Sequence, residues 1–174
     1  MILETERLII RFLTLDDAPF INKLLNQPDF KQYIGDKGVT DIESAKRYLE
    51  HGPLLSYREN GFGLYCVVLK DRSCPIGLCG LMKRDYLSLL DLGFAFDNKY
   101  HQRGYGLESA LAIIKQAKSE YQLPQLAAIT SLDNNASLSL LYKLGFSVMN
   151  ENERPNVDEL SNTHYLIKSL DYAR

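Results

Sequence analysis

The 174-residue chain sets 20 Lys and Arg against 22 Asp and Glu for a net charge of -2, and 45% of its residues are hydrophobic. That length suits one domain with a sizeable core, and that balance excludes a disordered or fibrous chain and offers no basic footprint for nucleic acid. No stretch nears the roughly 18 to 20 uninterrupted apolar residues of a membrane span, and "MILETERLII" puts acids where a secretory signal needs a basic start, so a cytoplasmic protein is expected.

"RLIIRF" (Arg7 to Phe12) reads as a strand. "LTLDDAPFINKLL" then turns helical, with Thr14 and Asp17 as a capping pair before Phe20, Ile21, Leu24 and Leu25. A polar stretch with Gly35 and Gly38 leads to "DIESAKRYLEH", where Asp41 caps a second helix whose apolar face is Ile42, Ala45, Tyr48 and Leu49. "GFGLYCVVLK" and "CPIGLCGLMK" flank the polar turn "DRS" and read as a hairpin, and "LSLLDLGFAF" is a third run. Short connections make these three consecutive antiparallel strands. Leu107, Ala110, Leu111, Ile114, Ala117 and Tyr121 then mark the buried face of the longest helix. "QLAAIT" is a strand, and its approach from a long helix implies a parallel neighbour. "NNASLSLLYKLGF" gives a further helix with Leu138, Leu141 and Leu144 inward and Gly145 at its stop, the tail "NERPNVDELSN" is polar loop, and "THYLIKSL" is a last strand. The fold class is α+β: a mixed, mostly antiparallel sheet flanked by helices in one domain over 1–174.

The seam "YHQRGYGLESA" puts Gly104 and Gly106 where a strand ends and a helix begins. Unpaired amides and the positive end of the helix dipole converge there, and glycines let an anion approach the backbone closely. A tight turn is the plainer alternative. The P-loop pattern is absent, and the dinucleotide fingerprint fails because Ser109 stands at the third glycine's place.

The seam has company. Strand, "HQRGYGLESA", long helix, short strand and "NNASLSLLYKLGF" together resemble the Gcn5-related N-acetyltransferase superfamily, and the opening "ETERLIIRFLTLDDA" is similar to its RimJ/RimL branch, whose members acetylate protein N-termini. The resemblance runs from about Arg7 to Leu170. It implies an acetyl-CoA-dependent N-acetyltransferase in which the signature Q/R-x-x-G-x-G/A falls on His101, Gln102, Arg103, Gly104, Tyr105 and Gly106, with His101 departing from the usual Gln or Arg. Gln102 to Leu107, that is Gln102, Arg103, Gly104, Tyr105, Gly106 and Leu107, would cradle the pyrophosphate. The strand before the seam is expected to splay from its neighbour, so that backbone groups around Phe94 and Phe96 pair with the pantetheine arm like an added strand. Core packing by those two phenylalanines is compatible with that role.

Acetyl transfer to an amine needs a neutral amine, a polarised thioester carbonyl and a proton route, and no intrinsic metal. Asp91, a carboxylate in the apolar "LLDLGF", matches a place where many family members carry a glutamate. Burial would raise its pKa and suit it to act as base through water, and the alternative is an outward-facing strand aspartate. Asn134 and Ser137 occupy the family's N-x-x-S arrangement, which implies a cofactor contact for Asn134 and a place near the thioester sulfur for Ser137. Ordinary helix capping explains the same pair. Leu141 stands where many members have an acidic tyrosine, and Tyr142 is turned about 100° away around the helix.

Other features read plainly. Glu108 in the first helical turn is a dipole-compensating acid, and Cys66, Cys74 and Cys79 are reduced core thiols rather than metal or redox groups. His51, His101 and His164 are scattered, so no metal is expected, and no G-x-S-x-G elbow supports a serine nucleophile. Glu151, Glu153, Asp158 and Glu159 could attract a cationic amine. Acceptors left open are a protein N-terminus, a ribosomal protein or a small molecule, and the assembly is a monomer or a homodimer. A non-catalytic acyl-CoA sensor or docking module on the same fold is the rival reading.

Overall fold

The computed structural model describes residues 2–155 and 162–170. Strands β1 (Ile2–Glu4), β2 (Leu8–Arg11), β3 (Leu64–Leu69), β4 (Cys74–Met82), β5 (Asp91–Phe96), β6 (Gln125–Ser131), β7 (Ser147–Val148) and β8 (Thr163–Ser169) form one sheet in the order β1-β2-β3-β4-β5-β6-β8-β7. Every neighbouring pair is antiparallel except β5–β6, which a crossover helix joins in parallel. The mixed, mostly antiparallel sheet read from the sequence is therefore present.

Helices cover both faces. Helices α1 (Ala18–Leu25), α2 (Pro28–Tyr33), α3 (Ile42–His51) and α4 (Pro53–Asn60) lie on one face, and α5 (Tyr105–Ser119) and α6 (Asn135–Lys143) on the other. Two core clusters follow from strand alternation. Cys66, Val68 and Leu78 point to α1 and α3, where they meet Ile21, Leu24, Ala45 and Leu49. Tyr65, Val67, Cys79, Leu81 and Leu92 point to α5 and α6, where they meet Ala110, Ile113, Ala117 and Leu141. Each fully buried aliphatic side chain contributes about 1.5–3 kcal/mol by leaving water.

The first helix is entered as expected. A one-turn 3-10 segment (Leu15–Asp17) precedes α1, and Asp17 Oδ2 accepts the Thr14 N–H at 2.9 Å. The same carboxylate accepts Arg11 Nη1 and Nη2 at 2.8 Å each, which fastens the helix start to β2. Asp41 caps α3 by accepting from the Ser44 amide at 2.7 Å.

Several expectations need correction. Leu111 is 51% exposed and Ile113 is fully buried, so the inward stripe of α5 is Ala110, Ile113, Ile114 and Ala117. Both stripes obey helical spacing and share Ala110, Ile114 and Ala117; they differ by a small rotation of the helix that turns Ile113 inward in place of Leu111. Tyr121 falls beyond the end of α5, and Ile42 is 38% exposed. The run "LSLLDLGFAF" becomes strand only from Asp91. Strand β1, helices α2 and α4 and the two-residue β7 are additions to the elements read from the sequence.

Candidate active site

Strands β5 and β6 meet at a single register pair, Asp91 with Ala127, closed by the Ala127 N–H on Leu90 O at 2.9 Å. Beyond it β5 stays paired to β4 and β6 to β8, while the two facing edges diverge. This is the expected splay. A cleft of about 740 Å³ opens from it and runs to the N-termini of α5 and α6. Phe94, Phe96, Gln102, Gly104, Tyr105, Gly106, Leu107, Asn134 and Ser137 all line that one cleft. Arg103 and Asp91 do not stand on its wall.

The seam has the backbone an anion needs. Gln102 and Gly104 both adopt positive φ, 59° and 80°, which turns successive amides toward one side. Gly104 caps α5 without a side-chain bond, so the amides of Tyr105, Gly106 and Leu107 belong to the unpaired first turn. A Cβ on Gly106 would lie 3.1 Å from Leu140 Cδ2 and narrow the cleft, and one on Gly104 would be 3.3 Å from Arg7 Nη2. His101 has a task of its own, because its Nε2 donates to Phe96 O at 2.9 Å and folds the seam back onto β5. These residues fit a pyrophosphate and a pantetheine arm: the open amides suit the former, and the unpaired β5 edge suits the latter.

Two supports of the seam escaped the sequence reading. Glu108 is more than a dipole-compensating acid: its Oε1 accepts Thr5 Oγ1 at 2.6 Å and the Arg7 N–H at 2.9 Å, and its Oε2 accepts Arg7 Nε at 2.6 Å. Arg7 Nη1 donates to Arg103 O at 3.0 Å, and the guanidinium lies 4.6 Å from the Tyr105 ring centroid. The β1–β2 turn thus clamps the signature loop from behind. Arg103 serves through its carbonyl, while its side chain is exposed. On the other wall, buried Asp97 accepts Lys23 Nζ and the Lys99 amide, and Gln27 Oε1 accepts the Asn98 N–H at 3.2 Å. These bonds tether α1 and the start of α2 to the end of β5.

Asn134 caps α6 by accepting the Ser137 amide at 3.0 Å, so capping and a place on the cleft wall coexist. Leu141 is buried in the core and Tyr142 is 49% exposed off the cleft. Asp91 is 1% exposed at the apex of the splay, with Oδ2 2.5 Å from Arg84 Nε. Burial pushes its pKa up, against the opposing charge and hydrogen bond of Arg84 and the amide of Ile129. The expected alternative, an outward-facing aspartate, is excluded by that burial.

Burial pushes the Cys66 and Cys79 thiols up to about 12, which makes them poor nucleophiles at neutral pH. Among the described residues no three His, Cys, Asp or Glu side chains group to hold a metal ion, and no helix is long and apolar enough to cross a membrane. Asp158 and Glu159 lie outside the described residues.

The geometry defines an acyltransferase cleft, and comparison with known proteins gives the family. The model of the acetyltransferase (GNAT) domain matches residues 7–147. The chain belongs to that family and is an acetyl-CoA-dependent acetyltransferase. It is 26% identical over 145 residues to an uncharacterized N-acetyltransferase, YnaD, of Bacillus subtilis (strain 168), covering 83% of this chain and 82% of that protein. Its fold is similar to that of an acetyltransferase from Agrobacterium tumefaciens str. C58, with a TM-score of 0.82 at 23% identity over 97% of this chain and 94% of the other. It is also similar in fold to RimL, a ribosomal L7/L12 alpha-N-protein acetyltransferase solved with coenzyme A, with a TM-score of 0.80 at 16% identity over 98% and 99%.

Proposed function

We propose that the protein transfers acetyl from acetyl-CoA directly to a primary amine, with a protein N-terminal α-amino group as the favoured acceptor. The observation that carries this reading is the single-pair splay of β5 and β6, which opens beside a loop of unpaired amides. Acetyl-CoA supplies an activated carbonyl and a thiolate leaving group. The seam from Gln102 to Leu107 anchors the pyrophosphate, the open edge at Phe94 to Phe96 orients the arm, and Asn134 contacts it from α6.

The amine nitrogen attacks the thioester carbon, the C–S bond breaks, the amine loses a proton and the thiolate gains one. Asp91 is the base, reached through water because it stands behind the cleft wall, and its burial-raised pKa suits the task. Ser137 donates its hydroxyl proton to the sulfur and regains one from water, and the proton taken up by Asp91 leaves to solvent, so that enzyme and proton count are restored. Asp91→Asn is expected to lower kcat by about 100-fold, the usual scale for a lost base, with little change in acetyl-CoA affinity.

Calorimetric titration with acetyl-CoA and CoA, beside a Gly104→Glu variant, tests the cradle first. Binding that disappears in the variant supports it. Amine-dependent release of CoA then tests transfer. Binding without release for any amine would replace this reading with a non-catalytic acyl-CoA sensor.

A further inference from the structure

The cofactor end of the cleft runs along the N-termini of α5 and α6, while Gln27, Phe30, Tyr33 and Ile34 line the same cleft from the opposite face of the sheet, which leaves that face for the acceptor. Strand alternation identifies what waits there. Ala95 packs with the α1–α4 cluster, so Asp91, two pairs of residues earlier on β5, points to the same face, while Leu92, Phe94 and Phe96 point to α5. Asp91 pairs with Ala127, and Ile129 pairs with Tyr165, so Tyr165 shares that face. Ser131 Oγ donates to Tyr33 O at 3.0 Å, which joins the end of α2 to β6 across this side of the sheet.

The groups collected around Asp91 are mostly cationic. Arg84 touches Asp91 through Nε alone, so its two terminal nitrogens are not engaged by that carboxylate. The Tyr86 hydroxyl lies beside Arg84, whose side chain keeps 34% of its surface. Lys37, on the α2–α3 connection, is near enough to Arg84 to feel its charge, and desolvation with that charge holds its ammonium below the usual value although the residue is solvent-accessible. The neighbouring Asp36 is taken by Lys31 at 3.4 Å. Tyr165 is 5% exposed, and its buried hydroxyl has no hydrogen-bond partner. Two cations, one carboxylate and an unpartnered phenol make a place short of one anion.

We infer that the acceptor is an α-amine with a carboxylate a few bonds away, and that this carboxylate is held by the terminal nitrogens of Arg84 with Lys37 and the Tyr165 hydroxyl beside it. The inference rests on the transferase reading and deepens it. Arg presents a planar fork that matches a carboxylate, and desolvated donors of this kind discriminate strongly against the neutral isostere. The same cations disfavour an acceptor rich in positive charge. They also favour the neutral form of an incoming amine, which an α-amino group reaches far more readily than a lysine side chain.

Two sources share this chemistry: a free amino acid, through its α-carboxylate, and a peptide with an acidic residue next to its N-terminus. Matched pairs separate them in a CoA-release assay on the purified protein. Serine against serinamide reads the first, and Ser-Asp-amide against Ser-Asn-amide reads the second. We expect the carboxylate member of one pair to have kcat/KM about tenfold or more above its amide, the scale of one charge-assisted hydrogen bond. Lys37→Glu, in an exposed connection that leaves the fold intact, should erase most of that preference, and Arg84→Gln should do the same if it folds. Equal use of acid and amide, or preference for the amide, overturns the inference. A preference untouched by Lys37→Glu and Arg84→Gln also overturns it. Release with spermidine but with neither carboxylate-bearing amine overturns it while leaving the transferase reading standing. Release with no amine, despite acetyl-CoA binding, overturns both.

Discussion

Glu108 receives three donors on its two oxygens, from Thr5, the Arg7 backbone and the Arg7 guanidinium, and this sets the shape of the signature loop. Glu108→Gln keeps the size but removes the charge that Arg7 pairs with. The ion pair is partly exposed, so the expected loss of stability is small, whereas acetyl-CoA affinity should fall about tenfold as Arg7 releases Arg103 O. Titration of the variant checks this, and unchanged affinity would make the clamp merely structural. Gly106→Ala probes the opposite wall: its Cβ would press on Leu140 Cδ2, so KM for acetyl-CoA should rise with kcat nearly unchanged. The sequence showed that Glu108 sits in a first helical turn and could go no further, because its partners arrive from a turn about a hundred residues away. Asp91 was legible as a candidate, but its burial and its pairing with Arg84 depend on how β4, β5 and β6 come together.

At the scale of elements, long periodic segments were readable and short ones were not. The start of α1, the Asp41 cap on α3 and the β3–β4 hairpin follow from local chemistry that the residues carry themselves. Helices α2 and α4 have six and eight residues and begin at Pro28 and Pro53. Proline at the first helical position is a start signal, yet such short helices hold together only through tertiary contacts. One of those contacts is Tyr57, whose hydroxyl donates to Leu64 O and accepts the Leu13 N–H at 3.2 Å, joining α4 to β3. Tyr57→Phe should cost about 1–2 kcal/mol in chemical denaturation, because it strands a buried carbonyl and an amide. Lys23→Ala tests the tether between α1 and β5. Freed from Lys23, Asp97 should hold the seam less firmly and raise KM for acetyl-CoA, with the chemical step little altered.

The whole molecule should respond to acid through a few carboxylates. Burial alone would raise Asp17, Asp97 and Glu108, but hydrogen bonds and charge from Arg11, Lys23, Thr5 and Arg7 bring each below its ordinary value. Groups with depressed native pKa contribute stability above their unfolded values and lose it as pH falls through the native ones. The melting temperature should therefore hold from neutrality to about pH 5 and fall steeply below about pH 4. A melting temperature unchanged down to about pH 3 would contradict that account.

The single register pair between β5 and β6 has a further consequence. Strands β1 to β5 form one ribbon and β6 to β8 another, and beyond Asp91 no further register pair joins the two. Whatever occupies the gap must share in holding the ribbons together, as a lace does between two edges of cloth. Amide hydrogens of β5 and β6 near the apex should exchange with deuterium slowly in the free protein, and those toward Phe96 and Ser131 faster. Coenzyme A should slow the second group and leave the first as it was, so that the exchange pattern maps how far along the seam the ligand reaches.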